Sequence, residues 1–234
     1  LSLVGALPFT LSGEIPFYLD AVFEMISGFT TTGSSILPDV EALSRCMLMW
    51  RSFSHWLGGM GILVFMMAIV RLEGGQGIHL LRAESPGPTV GKMVPRMVDS
   101  SKILYSIYFA LTLIQIAFYL AGGMPLFDTL CNAFGTAGTG GFAIKSASLG
   151  AYDYYAQTVT TVFMILFGVN FSIYFFLLRK KFDLAFKNTE LRWYLIIIFA
   201  SIAAITVNIV PQFPSVYDAL HHAAFAVGSV ITTT

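Results

Sequence analysis

Four stretches of mainly apolar residues, Ser52 to Val70, Ile103 to Gly122, Val159 to Leu178 and Trp193 to Val210, constrain this chain more than any other feature. A helix needs roughly 20 such residues to cross about 30 Å of hydrocarbon, and none of the four carries a charge through its centre. Leu1 to Phe9 reads as the tail of a fifth. Composition points the same way: 56% of the residues are hydrophobic and 11% charged, against about 25% charged in soluble globular chains. A soluble globule and a disordered chain are both excluded. Thirteen basic and thirteen acidic residues cancel, which removes the electrostatic case for a nucleic-acid partner. The two cysteines, Cys46 and Cys131, form neither a disulfide framework nor a metal motif. The chain starts without Met inside an apolar run and stops in a run of threonines, so it reads as part of a longer protein.

Ten of the thirteen Lys and Arg fall in two connections, Arg71, Arg82, Lys92, Arg96 and Lys102, then Arg179, Lys180, Lys181, Lys187 and Arg192. The positive-inside rule makes those connections cytoplasmic. Ser34 to Arg51, Gly123 to Ala156 and the segment from Pro211 onward then face outward, and the alternation of spans closes without contradiction.

Each outward connection holds a second apolar stretch too short to span: Phe17 to Phe29, Leu126 to Thr136 and Tyr217 to Ile231. Apolar helices of this length are more often re-entrant than spanning. Each begins near an acid (Asp20, Asp128, Asp218), and Pro16 and Pro125 precede the first two, which suits a helix N-terminus. Each runs into Thr, Ala and Gly. Shifted by 107 residues, Ser27–Gly33 falls on Phe134–Gly140, and Ser229–Thr234 is a third copy. The repeating unit is membrane helix, pore helix, membrane helix.

Such a unit suits the dehydration of a cation. A K+ ion sheds its water when a ring of backbone carbonyls replaces it. Glycine permits the φ values that turn successive carbonyls one way, and a short helix aims its partially negative C-terminal end at mid-membrane. Ordinary turns capping interfacial helices would explain one such loop, but not three on one side of the membrane.

SGFTTTG (Ser27 to Gly33), HWLGGMGI (His55 to Ile62), RAESPGP (Arg82 to Pro88), GTAGTGGF (Gly135 to Phe142) with Ala147-Ser148, and SVITTT (Ser229 to Thr234) together resemble the Trk/Ktr/HKT superfamily of potassium transporters, and within it the bacterial TrkH type. The resemblance implies an all-α, multi-pass protein of the bacterial cytoplasmic (inner) membrane, with four such units around a pseudo-fourfold pore that is incomplete in this chain. On that reading 1–70 hold the end of an outer helix, pore helix, filter loop and inner helix of unit one, 71–102 a cytoplasmic connection, 103–178 unit two, 179–192 a second connection and 193–234 the first half of unit three. It also implies that K+ is bound by the backbone carbonyls of Thr31 and Thr32, Gly138 and Thr139, and Thr233 and Thr234, with Gly33 and Gly140 as filter glycines. In loop two Ala137 and Gly138 stand for threonines of loop one, which removes two hydroxyls. The implied activity is potassium uptake without a cofactor, and the implied partners are lipid, a cytoplasmic TrkA-type nucleotide-binding subunit and a second copy of the chain. The alternative is a non-conducting membrane scaffold or assembly subunit.

Other residues carry weaker signals. Glu24, an acid inside a short apolar helix, could supply field to the ion or bond loop backbone behind the filter. Gly58, Gly59 and Gly61 suit close helix packing. Asn170, Asn208 and Gln115 suit interhelical hydrogen bonds. Neighbouring His221 and His222 point about 100° apart on a helix, so they cannot share one metal, and His55 has Gly59 at the position where a second ligand would stand. No nucleophile elbow, nucleotide loop or spaced carboxylate pair appears, so nothing indicates an enzyme. The segment Arg71 to Lys102 is either a plain connection or the surface where the regulatory subunit docks.

Overall fold

The structure, a computed structural model, describes residues 1–59, 61, 97–180 and 182–234. Among the described residues all regular structure is helical. In chain order the α-helices are α1 (Ser2–Gly5), α2 (Leu7–Ser12), α3 (Tyr18–Phe29), α4 (Arg45–Gly59), α5 (Met97–Ala121), α6 (Leu126–Ala137), α7 (Tyr154–Phe167), α8 (Phe171–Leu178), α9 (Phe182–Phe186), α10 (Thr189–Ile209) and α11 (Val216–Thr232). They belong to two compact units.

The first unit comprises Leu1–Gly59, Thr112–Phe167 and Gly228–Thr234. α3 and α6 are the expected short helices, within a residue or two of their predicted bounds. At 12 residues each they rise about 18 Å, well short of a bilayer core. Asp20 and Asp128 lie in their first turns, next to the positive end of the helix dipole. α4 packs against both helices. Its N-terminus is held by Glu14, whose carboxylate accepts from the Ser44 amide and hydroxyl, both at 2.7 Å. The core behind α3 gathers Ala6, Phe9, Val22, Met25, Leu48 and Cys131. Trp50 Nε1 donates to the Gly5 carbonyl at 2.9 Å, tying α1 to α4.

The second unit comprises the described parts of 60–111 together with Gly168–Val227. A small core of Val169, Ile173 and Ala185 carries α8 and α9, with Leu191 of α10 packed on it. Asn188 caps α10 by accepting from Leu191 N at 3.2 Å. α11, the third short helix, opens on an N-cap serine: Ser215 Oγ accepts from Asp218 N at 3.1 Å and donates to Asp218 Oδ2 at 2.8 Å. His222 stacks on Phe213 and His221 lies beside Tyr217, their ring planes 79° apart.

Several expected spans change. Among the described residues the helices long and apolar enough to cross a membrane are Lys102–Ala121 and Thr189–Gln212, matching two of the four. The third, Val159 to Leu178, is broken: α7 ends at Phe167 and α8 starts at Phe171, with Gly168, a poor helix former, in the gap. Asn170 instead turns its amide to the Glu190 carboxylate at 3.1 Å. The first begins earlier than expected, since α4 starts at Arg45 rather than Ser52. Apart from Gly61 its remainder lies outside the described residues, as does the expected connection 71–102 as far as 96, with the RAESPGP segment. The N-terminal apolar run extends to Ser12 but as α1 and α2, with Pro8, which offers no N–H to the preceding turn, at the start of the latter.

Candidate functional site

The loops that follow α3, α6 and α11 all lie in the first unit, and each leaves its helix by the same hydrogen bonds. In the first, Thr31 N bonds the Gly28 carbonyl at 3.1 Å and Thr32 N the Ser27 carbonyl at 2.9 Å. In the second, Thr139 N bonds Thr136 at 3.0 Å and Gly140 N bonds Gly135 at 3.2 Å. In the third, Thr233 N bonds Val230 at 3.4 Å and Thr234 N bonds Ser229 at 3.0 Å. This is the Schellman ending, whose pivotal residue sits in the left-handed region and is usually glycine. Here it is threonine three times: Thr31 at φ 56°, Thr139 at 53° and Thr233 at 58°. A β-branched residue there is a true outlier, costing about 1–3 kcal/mol, and such strain gathers at functional sites. Among the described residues no donor engages the carbonyl oxygens of Thr31, Thr32, Gly33, Thr139, Gly140 or Gly141.

These bonds correct the register of the repeat. Thr31 corresponds to Thr139, a step of 108 residues rather than 107. Gly33, at φ 80°, therefore matches Gly141, at φ 74°, and not Gly140. Gly138 takes the place of Thr30, the last residue before the strained threonine. Identity of letters pairs Gly28 with Gly135, whereas the hydrogen bonds equate Gly135 with Ser27.

The corrected register also accounts for the departure in loop two. In loop one Thr30 Oγ1 donates to the Ile26 carbonyl at 2.8 Å and meets Thr32 Oγ1 at 2.8 Å. Loop three repeats this with Thr232, Gly228 and Thr234, at 2.7 and 2.8 Å. In loop two the two threonines are Gly138 and Gly140. A Cβ on Gly138 would strike the His55 carbonyl, and one on Gly140 the His55 ring. α4 comes too close there for a hydroxyl pair. The same helix approaches loop one through Gly58, where a Cβ would strike the Phe29 carbonyl.

The three loops are neighbours in sequence around an arc. A Cβ on Gly33 would collide with the Gly140 carbonyl oxygen, and one on Gly141 would lie 2.6 Å from the Thr234 carbonyl carbon. Gly33 and Gly140 of the first contact correspond to Gly141 and Thr234 of the second, so one rotation-like step relates the loops.

Glu24 lies behind loop one, fully buried. Its carboxylate accepts from Ser35 Oγ at 2.9 and 3.2 Å, from Ile36 N at 3.0 Å and from Arg51 Nε at 2.5 Å. The backbone-bonding role is thus the one the geometry carries. Arg51 also donates through Nη1 to the Ala143 carbonyl at 3.0 Å. Burial alone would not stabilise the pair, because desolvation offsets much of the attraction, but two further hydrogen-bond partners of Glu24 and one of Arg51 help to complete it. Outside the spans, Tyr152 donates to Asp128 Oδ2 at 3.0 Å, and burial pushes its hydroxyl up to about 12.

A profile of the TrkH family, described as cation transport protein, matches residues 1–215. The chain belongs to the TrkH family. It is 35% identical to Trk system potassium uptake protein TrkG of Escherichia coli, over 99% of this chain and 49% of that protein. It is 40% identical to Trk system potassium uptake protein TrkH of Vibrio parahaemolyticus, over 75% of this chain and 37% of that one. The crystal structure of the potassium transporter TrkH from Vibrio parahaemolyticus superposes with a TM-score of 0.79 at 29% identity, covering 98% of this chain and 47% of that one. The chain therefore spans about half the length of the TrkH-family relatives it matches. The family description, cation transport, stands against an enzyme, and membership makes this a membrane protein.

Within this TrkH-family chain the sequence reading missed Arg51 and His55 as parts of the site. By sequence Arg51 is only the end of an outward connection, and His55 is set aside as a metal ligand because Gly59 stands at i+4. The available signal was spacing: the two stand one helical turn apart on one face of α4.

Proposed function

We propose that this chain is part of a potassium uptake protein of the bacterial cytoplasmic membrane, crossing it several times and conducting K+ through a carbonyl-lined filter. The observation that carries this reading is the strained threonine, repeated three times at the C-terminal end of a short helix and followed in the first two loops by carbonyls without a protein donor, while in the third the Thr234 carbonyl accepts from Ser229 Oγ at 2.5 Å. The carbonyls assigned to the ion are those of Thr31 and Thr32, Thr139 and Gly140, and Thr233 and Thr234, with Gly33 and Gly141 as the glycines. Gly140 replaces Gly138 in this set because the hydrogen-bond register equates it with Thr32 and Thr234. A fourth loop, from outside these 234 residues, completes the ring in this reading. The oxygens replace hydration water, and the partially negative helix ends favour the cation. Uptake is driven by the membrane potential, about 2.3 kcal/mol per charge per 100 mV. A cytoplasmic TrkA-type nucleotide-binding subunit and a second copy of the chain are the proposed partners, on family resemblance.

The test is rubidium uptake by vesicles holding the full-length protein under an inside-negative potential. Uptake above empty vesicles, suppressed by K+ far more than by Na+, is expected. Uptake equal to that of empty vesicles would return the reading to a scaffold or assembly subunit.

A further inference from the structure

Phe142 directly follows the glycine of the second loop, and two side chains of α4 grip its ring. The Arg51 guanidinium carbon lies 3.5 Å from the ring centroid. The His55 ring stacks on Phe142 with centroids 3.8 Å apart and planes at 14°. Two groups this close to one centroid must take opposite faces, so the ring is sandwiched. The Phe142 amide also donates to His55 Nδ1 at 3.3 Å, and Arg51 holds the next carbonyl, that of Ala143, at 3.0 Å. All three side chains are almost fully buried. On its other side Arg51 meets Glu24, which holds Ser35 and Ile36 just beyond Gly33. An unbroken set of contacts therefore runs from the glycine of loop one, through Glu24 and Arg51, to the glycine of loop two.

The clamp is not repeated between the second and third loops. The 108-residue step carries Glu24 onto Asn132, Arg51 onto Val159 and His55 onto Phe163, and the third pore helix has Ala226 where Glu24 stands. Its presence at the first of these two junctions and not at the second marks it as something other than scaffolding common to both.

We propose that Arg51, His55 and Phe142 are positioning residues that set the cation discrimination of the filter, by holding the first and second loops at one spacing. The proposal rests on the potassium-filter reading above. A smaller ion such as Na+ needs its oxygens drawn closer than K+ does. Loops whose flanks are tied to one rigid helix resist that collapse. Arg51 can do this because its planar fork bonds Glu24 and Ala143 while stacking on Phe142, and a lysine, a point charge on a flexible stem, cannot do all three.

The experiment uses the full-length protein in vesicles and measures rubidium uptake with its inhibition by Na+ and by K+, for wild type, Arg51→Lys, Phe142→Leu and Phe142→Tyr. Arg51→Lys and Phe142→Leu should still take up rubidium but become about tenfold more sensitive to Na+, the size expected when one charge-assisted contact is lost from discrimination. Phe142→Tyr, which keeps both ring faces, should retain the wild-type ratio. Folded Arg51→Lys and Phe142→Leu proteins with an unchanged Na+ to K+ ratio would overturn the proposal. So would failure of both to accumulate as folded protein while Phe142→Tyr does, since the contact would then serve folding alone. Absence of uptake by wild type would instead sink the filter reading itself.

Discussion

Gly140 and Gly141 are adjacent glycines with different tasks, and only their surroundings separate them. Gly141 has a positive φ and abuts the Thr234 carbonyl, as Gly33 does the Gly140 carbonyl. Gly140 instead leaves room for the His55 ring. Gly33→Ser and Gly141→Ser should therefore act alike, each pressing on the carbonyl of the next loop and raising Na+ inhibition of rubidium uptake. Gly140→Ser should chiefly lower thermal stability, by about 1–3 kcal/mol for an overpacked site. A Gly140→Ser protein that matched Gly33→Ser in ion preference, with Gly141→Ser like wild type, would restore the 107-residue register. At this scale the sequence was a partial guide. It singled out the Thr/Gly loops, but letter identity favoured a register one residue off, because the strained residue is threonine where glycine is the usual choice.

At the scale of elements, the three short helices are legible almost to the residue. Acidic first turns, a preceding proline or capping serine and an apolar run too short to span are local signals that survive in the fold. Ser215 shows the point: it was not singled out, yet it and Asp218 form the reciprocal cap of α11. Ser215→Ala should cost about 1 kcal/mol, read as a lower melting temperature of the full-length protein in detergent. A melt identical to wild type would show that α11 is held by its packing alone. The break between α7 and α8 was not legible, since Gly168 and Asn170 are both tolerated inside transmembrane helices. Their effect here depends on Glu190, twenty residues away, accepting the Asn170 amide.

For the whole molecule, the charge pattern predicts sidedness. On that pattern Lys145 would lie on an outward connection and Lys187 on a cytoplasmic one. With exposed Cys46 replaced by serine, Lys145→Cys should react with a membrane-impermeant maleimide on intact cells, and Lys187→Cys only after permeabilisation. The Lys145–Glu41 pair, 3.3 Å apart with both partners over two-fifths exposed, contributes little, so the substitution should be tolerated. Labelling of Lys187→Cys in intact cells would reverse the topology.

The sequence by itself determined the class of molecule, the order of its helices and the threefold recurrence of a short helix ending in a Thr/Gly loop. Those follow from the length of apolar runs, the side of the basic residues and the chemistry of helix ends, all properties of contiguous segments. Only the tertiary structure decided which residues of each loop correspond, why loop two carries Gly138 and Gly140, and that Glu24 is engaged by Arg51. These depend on how close α4 comes to loops far from it in the chain. Distances of approach between such segments arise from packing, and nothing in the local sequence encodes them.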